Sequence, residues 1–506
     1  MQDRIEYAGV LGSLLMAILV NWQYHISSTT STGSSHHMHV LSAVLAAWQV
    51  AISAIASDLL GLHQSGSESE STAIHSIFRC GNFGMLVVSG RNKLVDVAGT
   101  LRSMAATTAA RGGQAGGIVS LLADGSSVRS RHVPTKRGDV AVELVRRFWL
   151  LLWLRQGVCY VQSLLRAVLS VLGRMISFSS PQESATASRS GHEGPSFFLG
   201  HTRFATSCGP SVQDTHPHRF SQPSSVVVWR CSASGWYKRT ETFEVFVTHN
   251  GDLDYWEDLD AKVLRTHNEV GVWLRGVLDT RHRIANCDSV KVAGLVELLR
   301  TQGIWKHALR LGALLASSQP SFSAPLLDKQ VLDAAAAVAD DVWSRFVAQH
   351  GDSATSEPQN LLVLVTWLAA ELYEKVRILC NRYGTCERLA ELATQYFLNN
   401  DLFTSVNQFL AHAHGSFGIS ACCSVDRDLV VLASRGQAMS LAFNELYGTC
   451  AHTSTSTRAC PDYLECLRII WRFVTADSWY GTMHTQVLCC GAPKHLRSKF
   501  PSSGLL

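Results

Sequence analysis

The sequence predicts an α+β fold, and three observations carry that expectation. Apolar residues fill 46% of the 506 positions and Asp, Glu, Lys and Arg only 17%. The usual charged share is about 25%, so the chain as a whole is not intrinsically disordered and has a sizeable core to bury. Short β-type runs such as CGNFGMLVVSG (80–90) and the alternating TFEVFVTHNGDLDYWEDL (242–259) read as strands. Ala334 to Gln349 and Leu361 to Asn381 show helical periodicity, the second with Glu371, Glu374 and Lys375 on a polar side.

Composition also excludes function classes. Lys and Arg number 44 against 40 Asp and Glu, a surplus of 4, which is too small to concentrate nucleic acid along a surface. Fourteen cysteines without one Cys-x-x-Cys spacing argue against a disulfide scaffold and a zinc ribbon. Cys380/Cys386 and Cys460/Cys466 lack histidines at finger spacing, and the doublets Cys422/Cys423 and Cys489/Cys490 are poorly placed to share one ion. Most cysteines therefore read as small buried hydrophobes, a usage that suits a reducing compartment.

In chain order, residues 1–79 read as a leader. Ala8 to Trp22 is apolar but shorter than the ~20 residues that cross a bilayer, and Val40 to Ser57 is uncharged and nearly long enough, so membrane contact is one expectation. The start MQDRIEY is the wrong charge pattern for a secretory signal, which favours an intracellular chain. The polar stretch HQSGSESESTAIHS ends the leader near Ser76. From Cys80 the order is strand, amphipathic helix (Lys93 to Ala110), glycine turn and strand. The turn, GGQAGG, lacks the Gly-Lys-Ser/Thr of a phosphate loop, so no nucleotide site is expected there. Val142 to Phe178 carries Arg155, Arg166 and Arg174 on one side of a helix; an interfacial helix and a helix packed on the domain both fit that pattern. Ser179 to Gly194 reads as a Ser-rich loop.

Four segments then follow one another: GHTRFATSCGPSVQDTHPHRF (200–220), the strand at 242–259 with Asn250-Gly251, NCDSVKVAGLVELL (286–299) and HGSFGISACCSVDRDLVVLASRGQAMSLAF (414–443). In this order after a Cys-Gly strand start, they resemble the class II glutamine amidotransferase domain. The resemblance covers about residues 80–443, with helical insertions near 142–178 and 300–410, and leaves 444–506 as an unassigned tail of little periodicity. It implies a four-layer αββα N-terminal-nucleophile sandwich of two antiparallel sheets between helical layers.

The resemblance also implies chemistry: hydrolysis of L-glutamine to glutamate and ammonia, without cofactor or metal, the ammonia passing to a separate acceptor synthase. Glutamine's side-chain amide is a poor electrophile, so the family attacks it with an N-terminal cysteine thiolate whose own α-amino group carries the proton, here Cys80. The oxyanion donors fall on the Asn250 side chain and the Gly251 N–H, in an Asn-Gly turn. Arg203 matches the clamp for the substrate α-carboxylate, its fork giving two parallel bonds, and Thr206 the hydroxyl that assists it. Asp288 matches the ammonium partner, although a helix N-cap ahead of Val290 is the competing reading. Phe204 and Ser207 depart from the Trp and His usual in the aminotransferase branch. His216 and His218 around Pro217 resemble a structural feature of the family and are not read as metal ligands. A free α-amine on Cys80 would require cleavage after Arg79. The rival reading is a catalytically inactive member of the fold that senses glutamine or serves as a membrane-tethered interaction module.

Overall fold

The computed structural model describes residues 80–87, 96–109, 112–122, 125–134, 140–155, 197–204, 211–232, 235–257, 259, 264–278, 280, 287–316, 329–351, 358–377, 385–427, 429–437, 439–444, 449–453, 464–470 and 484–490. The membrane candidates at 8–22 and 40–57, Arg166, Arg174 and Thr206 lie outside them. All described residues belong to one unit, His75–Leu506.

The first stretch runs β1 (Gly81–Val87), α1 (Val97–Ala109), β2 (Ala115–Leu121), β3 (Ser127–His132), α2 (140–155) and β4 (Phe197–Arg203). Next come β5 (Ser224–Ser232), β6 (Gly235–Phe243), β7 (Val245–Glu257), β8 (Leu264–Thr266), α3 (His267–Val277) and α4 (Asp288–Leu299). Four helices follow, α5 (Trp305–Ala316), α6 (Lys329–His350), α7 (Pro358–Lys375) and α8 (Cys386–Asn399), and then α9 (Leu402–His412). The chain closes with β9 (Ala413–Cys423), β10 (Leu429–Arg435), β11 (Ser440–Asn444), β12 (Thr449–Thr453), β13 (Leu464–Ile470) and β14 (His484–Cys490). The α+β expectation holds.

The strands form a six-stranded sheet in the order β11-β12-β1-β4-β2-β3, a second in the order β14-β13-β10-β9-β7-β8, and the hairpin β5-β6. Every ladder pairing is antiparallel. Successive side chains of a strand point to opposite faces, and the cores follow that period. Ile118 and Phe198 pack with Leu101 of α1 and Leu144 and Phe148 of α2. Their neighbours Val119, Phe197 and Leu199 meet Phe246, Cys422 and Val430 of the second sheet. On the second sheet's other face, Val245, Val247, Ile419 and Val431 pack with Leu274 of α3, Val296 of α4 and Phe409 of α9. β2 and β4 are buried at every position and β1 at its first five, which explains why their sequences show no regular apolar–polar alternation.

The four helices α5 to α8 share an aromatic core around Trp343, in which Trp305 stacks on Phe397 at 3.9 Å between ring centroids. Trp229 of β5 joins it and donates from Nε1 to Asp340 Oδ1 at 2.7 Å. The described part of the Arg-bearing segment, α2, packs on the first sheet, with Arg146 and Arg147 exposed and paired to Glu143. Among the described residues no helix is long and apolar enough to cross a membrane.

Three expectations are corrected. The segment 242–259 is split at Glu244, where β6 passes to β7, because Glu244 N donates to Ser424 Oγ instead of continuing one ladder. The tail holds strands: β12 enters the first sheet between β11 and β1, and β13 and β14 extend the second beyond β10. A segment as short and polar as TCAHT carries no apolar alternation to read. Cys386, read as a packing thiol, is disulfide-bonded, whereas Cys287, Cys422 and Cys423 are free and buried.

Candidate active site

The site lies where the N-terminal end of β1 meets the C-terminal end of β4. Gly81 pairs with Thr202 and Asn82 with His201, so the same register carries Cys80 opposite Arg203. Both strands are central, which fixes that register against slippage. Cys80 is half-buried, and its thiol donates to the Phe204 carbonyl at 3.4 Å. Burial pushes the thiol pKa up; the Phe204 hydrogen bond and the Arg203 cation pull against it, and the carboxylates of Asp288 and Asp252 push it further up. Cys80 thus lies within electrostatic reach of one guanidinium and two carboxylates. Arg203 is buried at 5% exposure, and its carbonyl accepts from Gln114 N at 3.1 Å.

Asn250 and Gly251 do not form the turn expected of them. They lie inside β7, paired with Gly418 and Phe417 of β9. The hairpin signal of an Asn-Gly pair is overridden here by a long-range ladder. Glycine is still required: Gly251 has φ +126°, and the Ser416 carbonyl oxygen stands where a Cβ would project. Asn250 Nδ2 donates to Gln437 Oε1 at 3.4 Å. The two sheets are tied beside this point by Asn82, two residues after Cys80, whose Nδ2 donates to the carbonyl of Gly418.

Asp288 is the first residue of α4, and Cys287, not Asp288, occupies the N-cap position. Its Oδ1 accepts from Ser289 N at 2.7 Å and from Ser289 Oγ at 3.3 Å, and its Oδ2 accepts from Leu253 N at 3.0 Å. The carboxylate therefore bridges the helix N-terminus, where the dipole favours negative charge, to β7 two residues past Gly251. His249 reinforces the bridge, with Nδ1 3.0 Å from Ser289 Oγ and 3.9 Å from Asp288 Oδ2.

Behind the site sits a block of buried histidines. His201 stacks on His216 at 3.9 Å, His216 lies 4.2 Å from His218, and His249 N donates to His216 Nδ1 at 3.3 Å. Burial holds His216 and His218 well below the ordinary imidazole range and His201 down to about 3, with Arg203 contributing, so all three are neutral at pH 7. Among the described residues no group of three His, Cys, Asp or Glu is arranged to hold a metal ion. The glycines of GGQAGG serve packing: the His216 carbonyl stands where a Cβ of Gly117 would project.

Of the residues singled out in the sequence, Cys80, Arg203 and Asp288 are thus brought together. Asn250 and Gly251 join them through the Asn82–Gly418 and Leu253–Asp288 contacts, and Thr206 lies outside the described residues. Asn82, His249, Asp252, Ser289 and Gln437 were missed. Only His249 and Asp252, flanking Asn-Gly, carried a local signal; the others are recruited by tertiary contact.

No family model and no curated protein matches the sequence. Among solved structures, one described as the allosteric regulatory enzyme of purine biosynthesis is similar at 11% identity and a TM-score of 0.29, over 80% of this chain and 48% of that one. The chain thus spans about half the length of that protein. A superposition so loose leaves the geometry above to stand alone.

Proposed function

We propose that the chain is a glutamine amidotransferase domain on a four-layer αββα N-terminal-nucleophile sandwich, hydrolysing L-glutamine to glutamate and ammonia through the Cys80 thiolate. The observation that carries the reading is the β1/β4 register, which sets a cysteine opposite a buried arginine with the Asp288 carboxylate in electrostatic reach. An arginine and an aspartate flanking one thiol suit the α-carboxylate and α-ammonium of a free amino acid, leaving its side-chain amide for the sulfur. The fold assignment is supported by the three successive cores, helix on sheet, sheet on sheet and sheet on helix.

In this mechanism, Arg203 and Asp288 grip the two ends of the amino acid, with Thr206 assisting the clamp. The thiol proton passes to the α-amine of Cys80, sulfur attacks the amide carbon, and the oxyanion is held by Asn250 Nδ2 and the Gly251 N–H. The amine proton then goes to the departing ammonia, and water cleaves the thioester. Removing one oxyanion donor typically costs about a hundredfold to a thousandfold in rate. A free amine requires cleavage between Arg79 and Cys80. The ammonia acceptor would be a synthase on a separate chain.

A second reading, an inactive glutamine sensor or interaction module, is favoured by one observation: burial raises the Cys80 pKa, so the thiol is protonated at neutral pH until a base takes its proton. One experiment separates the two. The full chain is treated with an alkylating analogue of glutamine and analysed by mass spectrometry, alongside an ammonia-release assay of wild type and Cys80→Ala. The enzyme reading expects modification at Cys80 on a chain that begins at Cys80, with release abolished in the variant and glutamine affinity within about tenfold of wild type. Release by Cys80→Ala, or by protein whose N-terminus still precedes Cys80, would overturn it.

A further inference from the structure

The side chain of Gln437 has no part in the mechanism above, yet it is the described group that contacts the Asn250 carboxamide. Its Oε1 accepts from Asn250 Nδ2 at 3.4 Å, and its own Nε2 donates to Ser416 Oγ at 3.2 Å. Its backbone carbonyl accepts a close hydrogen bond from Ser434 Oγ. Gly436, at φ +68°, turns the chain beside β9, where it bridges Phe417, the partner of Gly251. The Gln437 Cβ lies 3.3 Å from where a Cβ of Gly418, the partner of Asn250, would project. Backbone and side chain are thus both held at one place over the strand pair that bears Asn250 and Gly251.

A carboxamide can sit in either of two flipped orientations, and only one turns its NH2 outward; the partner of that NH2 decides which. We propose that Gln437 is the positioning residue that holds Asn250 with its NH2 as the donor of the oxyanion site. In the run Ser416, Gln437, Asn250 the Gln437 amide donates to the serine hydroxyl and offers its carbonyl oxygen to Asn250. With Gln437 in this orientation, a flipped Asn250 would set its oxygen against the Gln437 oxygen, two acceptors with no proton between them. Nδ2 carries two hydrogens. Gln437 takes one and the other stays available for the substrate oxygen.

The inference rests on the glutamine reading of the site, and its test separates the two. The full chain is prepared as wild type, Gln437→Leu, Gln437→Met and Gln437→Glu, with thermal melts establishing folding. The probe is the diazoketone analogue of glutamine. The Cys80 thiol gives its proton to the diazo carbon, sulfur forms the new S–C bond and N2 departs, while the ketone oxygen occupies the oxyanion position. Inactivation rate and half-saturation are measured separately, together with kcat and KM for glutamine. In the apolar variants we expect the inactivation rate and kcat to fall about tenfold, with half-saturation and KM within twofold, and Gln437→Glu to restore most of the rate because its carboxylate still accepts from Nδ2. An unchanged rate in both apolar variants overturns the proposal. So does an equal change in half-saturation and rate, or a failure of Gln437→Glu to recover. Wild type that neither binds the probe nor is labelled at Cys80 would instead reject the glutamine site itself.

Discussion

Asp288 has two tasks that substitution can separate. Structurally, its carboxylate accepts from Leu253 N at 3.0 Å and Ser289 N at 2.7 Å; functionally, it is the proposed partner of the substrate ammonium. Hydrogen bonds to a charged group contribute about 1.5–3 kcal/mol each. Asp288→Ala removes both and leaves the N–H of buried Leu253 unsatisfied, so taking the lower figure twice, stability falls by about 3 kcal/mol. Asp288→Asn keeps one acceptor oxygen and one bond, so the loss is about 1.5 kcal/mol. The asparagine has no charge for the ammonium, and losing a charged contact worth about 1.5–3 kcal/mol weakens glutamine binding roughly ten- to 150-fold. Urea denaturation followed by tryptophan fluorescence gives the first quantity and isothermal titration calorimetry the second. Wild-type affinity in Asp288→Asn would reduce this residue to a strut between α4 and β7. An Asp288→Ala protein as stable as wild type would mean that the bridge itself is absent.

Two further perturbations test the frame around the site. Arg300, buried and with its pKa raised by Asp426, is held by Nε and Nη2 at 2.5 and 2.7 Å from the two carboxylate oxygens. Asp426→Ala leaves an uncompensated buried cation and should cost about 3–5 kcal/mol in urea unfolding; a loss under 1 kcal/mol would contradict the burial of the pair. His201, held down to about 3 by burial, is neutral when folded but protonates near 6.5 once unfolded. Its contribution is complete above about pH 6.5 and drains away as pH falls toward 3, because there the unfolded chain binds the extra proton. His201→Asn should therefore flatten the decline of the urea midpoint between pH 6.5 and 4; an unchanged slope would mean that the ring takes up its proton while folded.

What could be read in advance depended on how local its cause was. Ala334 to Gln349 was legible as helix because its apolar face repeats along the segment itself, and α6 extends it only to Lys329–His350. The turn that the resemblance implied at Asn250-Gly251 is absent because the conformation of that pair is set by β9, more than 160 residues further on. Asn82 finds its acceptor, Gly418, at a separation of 336 residues, and Gln437 reaches Asn250 across 187; no window of sequence contains either pair. Cys80, Arg203 and Asp288 could be singled out only through the resemblance, since an isolated cysteine, arginine or aspartate has many bland uses. The strands of the tail had no local signature, because they are completed by the edges they join.

The same burial that assembles the site opposes the chemistry proposed for it. Withdrawing Cys80 from water penalises the thiolate, and two of the charges around it, Asp288 and Asp252, are of the sign that penalises it again, while Arg203 opposes them. A nucleophile activated by depressing its pKa needs the reverse arrangement. This environment suits a neutral thiol that loses its proton only as the bond to carbon forms, and such a step needs a base in contact with the sulfur. His201, His216 and His218 are unsuited to accept it, since burial keeps them unprotonated down to low pH. Asp288 already accepts from Leu253 and Ser289. In the proposed mechanism that base is the α-amine of residue 80, whose ordinary pKa of about 7.7–8.0 suits a proton carrier at neutral pH. In the proposed mechanism activity therefore depends on the state of the Arg79–Cys80 bond: a chain left intact there is expected to bind the amino acid without hydrolysing it.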